Sequence, residues 1–184
     1  MRILSGKYKG RVIKMPKGIR PTQDKVRKAL FDILGDLEGL SFLELFAGSG
    51  AVGFEAVSRG VSELALVEPN RDCSLAIRNN IESLKIKACQ LYPQDAERSL
   101  AALDKDGKKF DIIFLDPPYY KDISKNILQA LGAYDILNRN GLVIAQHFKK
   151  DVLPDKAGEL ILFRQSRYGD TVLSFYKSLR DSKG

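Results

Sequence analysis

Leu43-Glu44-Leu45-Phe46-Ala47-Gly48-Ser49-Gly50-Ala51-Val52-Gly53 starts as an apolar run and passes through three glycines into a helical pattern. The glycines match G-x-G-x-x-G, behind a predicted strand over 41–46 and ahead of a predicted helix over 51–59. Glycines so placed allow a tight turn and a close backbone approach, and the free N–H groups at the helix start favour an anion. Glu68 ends the next predicted strand, over 63–67, and lies 18 residues after Gly50. A carboxylate there can accept both hydroxyls of a ribose. The combination points to an adenosine-containing cofactor; the competing reading is a structural turn with a surface Glu.

Outward from this turn, strand and helix patterns alternate. Helices are predicted over 71–84, 96–103 and 123–131, and strands over 87–92 and 110–115. The Asn140-Gly141 turn is expected to start a strand over 142–146. Two further strand runs, 160–165 and 172–176, are separated by a loop too short for a crossover helix and should pair as an antiparallel hairpin. This predicts an α/β fold, a Rossmann-like doubly wound and mostly parallel seven-stranded sheet closed by a C-terminal antiparallel hairpin, over 41–177. Upstream, residues 1–4 and 11–15 flank Gly6 and Gly10 like a hairpin. A helix then follows, with Thr22 as expected N-cap and Gly35 and Gly39 as its stop. The 184 residues read as one domain, with 1–34 as an extension.

The charge is unevenly spread. Residues 1–30 hold ten Lys or Arg and one acid, while the other 154 hold 20 basic and 22 acidic side chains. A near-neutral body with a basic front end points to nucleic acid, and less often to an anionic membrane surface or a solubilising tail. The candidate RNA-facing residues are Arg2, Lys7, Lys9, Arg11, Lys14, Arg20, Thr22 and Arg27. No apolar run is long enough to span a bilayer, and no secretory h-region is present, so a cytoplasmic protein is expected. Two cysteines and one histidine make neither a disulfide framework nor a metal site.

Two features separate this site from a dinucleotide site. Glu44 lies inside the strand, where a carboxylate suits a methionine ammonium better than a pyrophosphate. Asp116-Pro117-Pro118-Tyr119 follows the strand over 110–115, at the end where doubly wound sheets place their sites. The prolines fix the backbone and remove two donors, so the Asp116 carboxylate and the Pro117 carbonyl form a rigid acceptor edge. Such an edge suits an exocyclic amino group, with the Tyr119 ring stacking on a flat base.

These residues resemble class I S-adenosylmethionine-dependent amino-methyltransferases. The whole chain is similar to the bacterial RsmD-like enzymes, which methylate a guanine N2 of 16S rRNA. The likeness runs from Arg2 to about Tyr176, through Arg20-Pro21-Thr22, Ala29-Leu30-Phe31, Leu45-Phe46-Ala47-Gly48-Ser49-Gly50, Glu55-Ala56, Ser58-Arg59-Gly60 and Tyr168-Gly169-Asp170-Thr171. It implies S-adenosyl-L-methionine as cofactor, with Glu44, Phe46, Ala47, Gly48, Ser49 and Gly50 at the methionine end. Glu68 would then hold the ribose, and Pro69, Asn70, Asp95 and Ala96 would lie by the adenine. Asp95 serves equally as an N-cap of the next helix. Asp116, Pro117, Pro118 and Tyr119 would take the acceptor amine. The implied partner is 16S rRNA within a small-subunit ribosomal particle, and nothing calls for more than a monomer.

Three functions compete: an rRNA guanine amino-methyltransferase, a DNA adenine or protein glutamine methylase, and a non-catalytic RNA-binding module. No insert is long enough for a DNA target-recognition domain, glutamine enzymes usually carry Asn in place of Asp116, and pure binding would not need Asp-Pro-Pro-Tyr. Pyrimidine-carbon chemistry needs a thiolate at the site, and neither Cys73 nor Cys89 is predicted beside Asp116. His147 is read as a filler or surface residue rather than a general base.

Overall fold

The structure, a computed structural model, describes residues 1–16, 18, 22–118 and 122–179. The chain divides into two compact units, Met1–Asp95 and Ala96–Gly184.

The first unit holds α1 (Asp24–Leu34), β1 (Ser41–Leu45), α2 (Ala51–Ser58), β2 (Glu63–Val67), α3 (Arg71–Leu84) and β3 (Cys89–Tyr92). Its strands lie in the order β3-β2-β1, all parallel. Every residue of β1 is buried, including Ser41 and Glu44, as are the last four of β2, which read as an unbroken apolar run. Gln23, not Thr22, is the N-cap of α1, and no side chain caps it. Gly35 ends α1 as expected, with a φ of 73° and its N–H donated to Phe31 O.

The N-terminal extension is ordered by docking. Ile3 N donates to Arg11 O, Gly10 N to Ile3 O and Ile13 N to Met1 O, and Arg2 faces Val12 in a single antiparallel bridge. This arm covers α2. Leu4 N and Ser5 N donate to the two Glu55 carboxylate oxygens at 2.7 and 3.0 Å. Lys7 N and Tyr8 N donate to Ser58 O and Ser58 Oγ, and Ser58 Oγ donates to Ser5 O. With the arm in place, α2 is buried nearly all round, although it carries Glu55 and Ser58.

The second unit holds α4 (Ala96–Lys105), β4 (Phe110–Leu115), α5 (Ile123–Ala133), β5 (Leu137–Phe148), β6 (Lys156–Ala157), β7 (Leu160–Tyr168) and β8 (Thr171–Ser178). Its strands lie in the order β4-β5-β8-β7-β6. β4 and β5 are parallel, and β8, β7 and β6 are antiparallel to their neighbours. Among the described residues there are eight strands, not the seven expected, because the two-residue β6 carries no periodicity to read. Asn140-Gly141 does not start β5. It lies in a bulge, where pairing jumps from Phe110↔Leu137 to Ile112↔Leu142 and Asn140 takes a φ of 62°. The β7–β8 connection is also tighter than expected. Tyr168 pairs with Thr171, leaving Gly169-Asp170 as the loop, with Gly169 at a φ of 64°.

Candidate active site

In the first unit, the loop between β1 and α2 turns on positive φ at Phe46 (60°), Gly48 (55°) and Gly50 (75°). Phe46 is a bulky residue in a region that such residues avoid, a strain that structures retain at functional sites. Ala47 N donates to Val67 O, and Gly50 N donates to Ala47 O at 2.7 Å, which closes the turn. The later glycines serve packing. A Cβ on Gly50 would lie 2.7 Å from the Phe54 ring, and one on Gly53 would lie 2.7 to 2.9 Å from Leu66, Leu64 and the Glu44 carboxylate.

Two buried carboxylates frame this loop. Glu44, 4% exposed, accepts from Gly53 N at 2.8 Å, in the first turn of α2 where the helix dipole favours a negative charge. Glu68, 7% exposed, accepts from Gly48 N at 2.7 Å through one oxygen and from Asn70 N at 2.9 Å through the other. A carboxylate offers about four lone-pair positions, so Glu68 keeps capacity for hydroxyl donors. Such an acceptor set fits a cationic ligand rich in hydroxyls, such as a nucleoside bearing an ammonium group, and repels a pyrophosphate. Asn70 Oδ1 accepts from Asp72 N and Cys73 N as the cap of α3. Its side-chain oxygen is thus committed, while Pro69 beside it is exposed. Ser49 is buried, and Ser49 O accepts from Asn80 Nδ2 at 3.3 Å. Asp95 is exposed, immediately ahead of α4, and Ala96 is buried as the first residue of that helix.

In the second unit, Asp116 is the first residue past β4 and is half-buried. Its Oδ2 accepts from Gln146 Nε2 at 2.7 Å. Pro117 is buried, and Pro118 is exposed. Tyr119 lies outside the described residues, as do Arg20 and Pro21. Sequence reasoning missed Gln146. The available signal was a polar residue ending the apolar run Leu142–Ala145, one step past the Leu115↔Ala145 pair.

Among the arm residues, Arg2, Lys7, Lys9, Arg11 and Lys14 are exposed, and Thr22 is half-buried. Arg11 also donates to Ser83 O near the end of α3, at 2.9 Å. Arg27, expected with the RNA-facing cations, is 0% exposed and cannot reach a phosphate from there. Its guanidinium donates to Arg2 O at 2.6 Å and to Asp24 at 3.1 Å, and lies 3.9 Å from the buried Glu55 carboxylate. Burial lowers its pKa, against the pull of Glu55, Asp24 and Glu44.

Burial raises the Cys73 thiol pKa, helped by Glu68, and pushes Cys89 up to about 12, helped by Glu44. Neither is a thiolate nucleophile at neutral pH. His147 is buried, with Nδ1 3.0 Å from Phe148 O and Nε2 2.8 Å from Ser174 Oγ, and burial lowers its pKa. It fills the core of its unit as a neutral ring. Among the described residues, no group of three or more His, Cys, Asp or Glu could hold a metal ion, and no helix is long and apolar enough to cross a membrane.

A family model described as Conserved hypothetical protein 95 matches residues 1–177. The Bacillus subtilis protein YlbH, whose name gives rRNA methyltransferase as a provisional function, is 38% identical over 96% of this chain and 98% of its own length. Ribosomal RNA small subunit methyltransferase D of Escherichia coli K12 is 29% identical over 100% of this chain and 92% of its own. The solved structure of the Escherichia coli protein yhhF superposes with a TM-score of 0.86 at 30% identity, covering 97% of each chain. The fold is shared at 20% identity with SMU.776, solved in complex with SAH, at a TM-score of 0.67 over 83% of this chain and 48% of that one.

Proposed function

The chain belongs to the Conserved hypothetical protein 95 family, and from that premise we propose that it is an S-adenosylmethionine-dependent rRNA methyltransferase acting on a guanine N2 amino group of 16S rRNA. The observation that carries the reading is the pair of buried carboxylates, Glu44 and Glu68, around a glycine loop strained at Phe46. They fit the ammonium and the ribose hydroxyls of that cofactor. When bound, the cofactor supplies a methyl group already activated on a sulfonium.

The protein's part is placement and charge. Glu68 would take the ribose hydroxyls while Gly48 N–H and Asn70 N–H hold its carboxylate still. Glu44 would take the ammonium while anchored on the first turn of α2. The guanine amino lone pair is delocalised into the ring and is a poor nucleophile. Hydrogen bonds from the amine to the Asp116 carboxylate and the Pro117 carbonyl would favour pyramidalisation and localise that pair. The positive charge that develops on nitrogen would be stabilised by the Asp116 carboxylate, which can then accept the departing proton. A paired base cannot enter such a site, so the target nucleotide should be unpaired or flipped out. A small-subunit particle as substrate, a cytoplasmic location and a monomeric enzyme complete the proposal.

The test is transfer of labelled methyl from S-adenosylmethionine to total RNA, DNA and protein, with the modified nucleoside mapped by mass spectrometry. Label in N2-methylguanosine of 16S rRNA is the expected result. Label in DNA adenine or protein glutamine would replace the acceptor assignment, and no transfer to any pool would leave a binding module.

A further inference from the structure

We infer that Gln146 is a positioning residue, which fixes the orientation of the Asp116 carboxylate toward the acceptor amine. This rests on the reading of Asp116 as the group that accepts from that amine.

The geometry is specific. Gln146 lies on β5, one residue past Ala145, and Ala145 pairs with Leu115 on β4. Asp116 follows Leu115, so parallel register brings the two side chains together at the strand ends. Gln146 Nε2 donates to Asp116 Oδ2 at 2.7 Å, the short range of a charge-assisted bond. The direction of the amide follows from chemistry, since an ionised carboxylate only accepts and the NH2 end must face it.

The other end of that amide is the telling part. Gln146 is 4% exposed, and its Oε1 is buried with no hydrogen-bond partner. A buried acceptor without a partner destabilises a fold, and an apolar side chain of the same shape would be better tolerated. The three preceding residues, Val143, Ile144 and Ala145, are apolar and fully buried, and the buried polar residue that follows, His147, has a partner on each ring nitrogen, whereas Gln146 leaves its oxygen unpaired. An amide placed here, with one end wasted, serves the carboxylate rather than the core. The carboxylate follows a strand end and precedes two prolines, which fix the main chain, and Gln146 adds a short, directed bond at one carboxylate oxygen. A carboxylate displaced by about 1 Å can lose about a hundredfold in rate.

The test is a double-mutant cycle on single-turnover methyl transfer to 16S rRNA, using Gln146→Leu, Asp116→Asn and the pair. Gln146→Leu should lower kcat by about tenfold to a hundredfold, with KM for RNA and affinity for S-adenosylhomocysteine unchanged and a melting temperature equal to or above wild type. In the Asp116→Asn background the same substitution should cost less than about threefold, because residues that act through one another are not additive. Gln146→Met is the second variant if Leu fails to fold. Wild-type kcat in the folded Gln146 variant, or a loss of equal size in both backgrounds, would overturn the inference. An inactive wild type would instead count against the methyltransferase reading itself.

Discussion

Asp116 and Glu68 are both carboxylates at strand ends, yet they are held differently, and the proposed function gives them different work. Asp116 accepts from a side-chain amide, that of Gln146, whereas Glu68 is fixed by main-chain donors at Gly48 and Asn70. Asp116→Ala and Asp116→Asn should therefore cut methyl transfer by ~10² to 10³ while leaving affinity for S-adenosylhomocysteine within about twofold. Glu68→Ala should weaken that affinity by ~1.5–3 kcal/mol, the scale of hydrogen bonds to a charged group, as read by calorimetry. Near-normal turnover in both Asp116 variants, or normal affinity in Glu68→Ala, would break the division of labour. Arg27 calls for a different experiment. Its Nε and Nη1 are buried without hydrogen-bond partners, and its ion partner Glu55 is 0% exposed. Removing one member of a buried pair typically costs about 3–5 kcal/mol. Glu55 keeps Arg59 and two main-chain donors, so Arg27→Ala should lie near the lower end, about 3 kcal/mol in urea melts at unchanged m. Arg27→Met, which keeps volume and removes the orphaned donors, should recover part of that loss. Neither should change the salt dependence of RNA binding, since the guanidinium faces no solvent.

At the scale of elements, the parallel part of the fold was readable because its strands are short apolar runs bounded by turn residues. The strand Glu63–Val67, the helix Arg71–Leu84 and the strand Phe110–Leu115 stand where their patterns place them. What was not readable depended on partners distant in sequence. Arg27 sits among lysines and reads as a surface cation, and only the docking of the arm buries it. Glu55 reads as a polar helix residue paired at most with Arg59 one turn on, and the Leu4 and Ser5 N–H groups and Arg27, all distant in sequence, complete the surroundings that let it be buried. Gln146 becomes meaningful only through the β4–β5 register. The glycines of the arm test this docking. A Cβ on Gly6 would fall 1.7 Å from Ser58 O, on backbone with a φ of 76°, whereas Gly10, at a φ of 81°, has nothing within 4 Å of the added Cβ. Gly10→Ala should thus cost only the left-handed strain of about 1–2 kcal/mol. Gly6→Ala adds a backbone clash, which displaces the arm and breaks the bonds to Ser58 and Glu55. Limited proteolysis should then cut Gly6→Ala within residues 1–15 much faster than Gly10→Ala. Equal protection of the two would mean that the arm is held elsewhere.

For the whole molecule, the decisive quantity is where the excess positive charge stands. The first 30 residues carry more than the whole net excess, since the rest of the chain is slightly acidic, and the structure sorts those cations. Arg27 is withdrawn into the interior, and Arg11 shares its charge with the Ser83 carbonyl of α3. Lys28 pairs with Asp32 at 2.7 Å. Lys7, Lys9 and Lys14 remain with exposed side chains on an arm whose backbone is fixed, Lys14 by paired bonds to Asn80. With the backbone already ordered, only side-chain freedom is lost when these cations meet phosphates, and each phosphate contact adds to the salt dependence of RNA binding. With four to six contacts, the log–log slope of affinity against salt should be about −3 to −5. Reversing Lys7, Lys9 and Lys14 to Glu spares the buried Arg27 network and the Arg11 anchor, so folding should hold. The slope should flatten by ~2–3, at ~0.7 to 0.9 per lost contact, and RNA affinity should fall at every sequence tested. Affinity for S-adenosylhomocysteine should be unchanged, because none of the three lysines lies in the glycine loop or beside Glu68. Filter binding across a salt series, with calorimetry on the same samples, reads both. A triple variant with wild-type slope and affinity would make the arm a cover for α2 alone, and RNA would then have to be held by other surfaces of the chain.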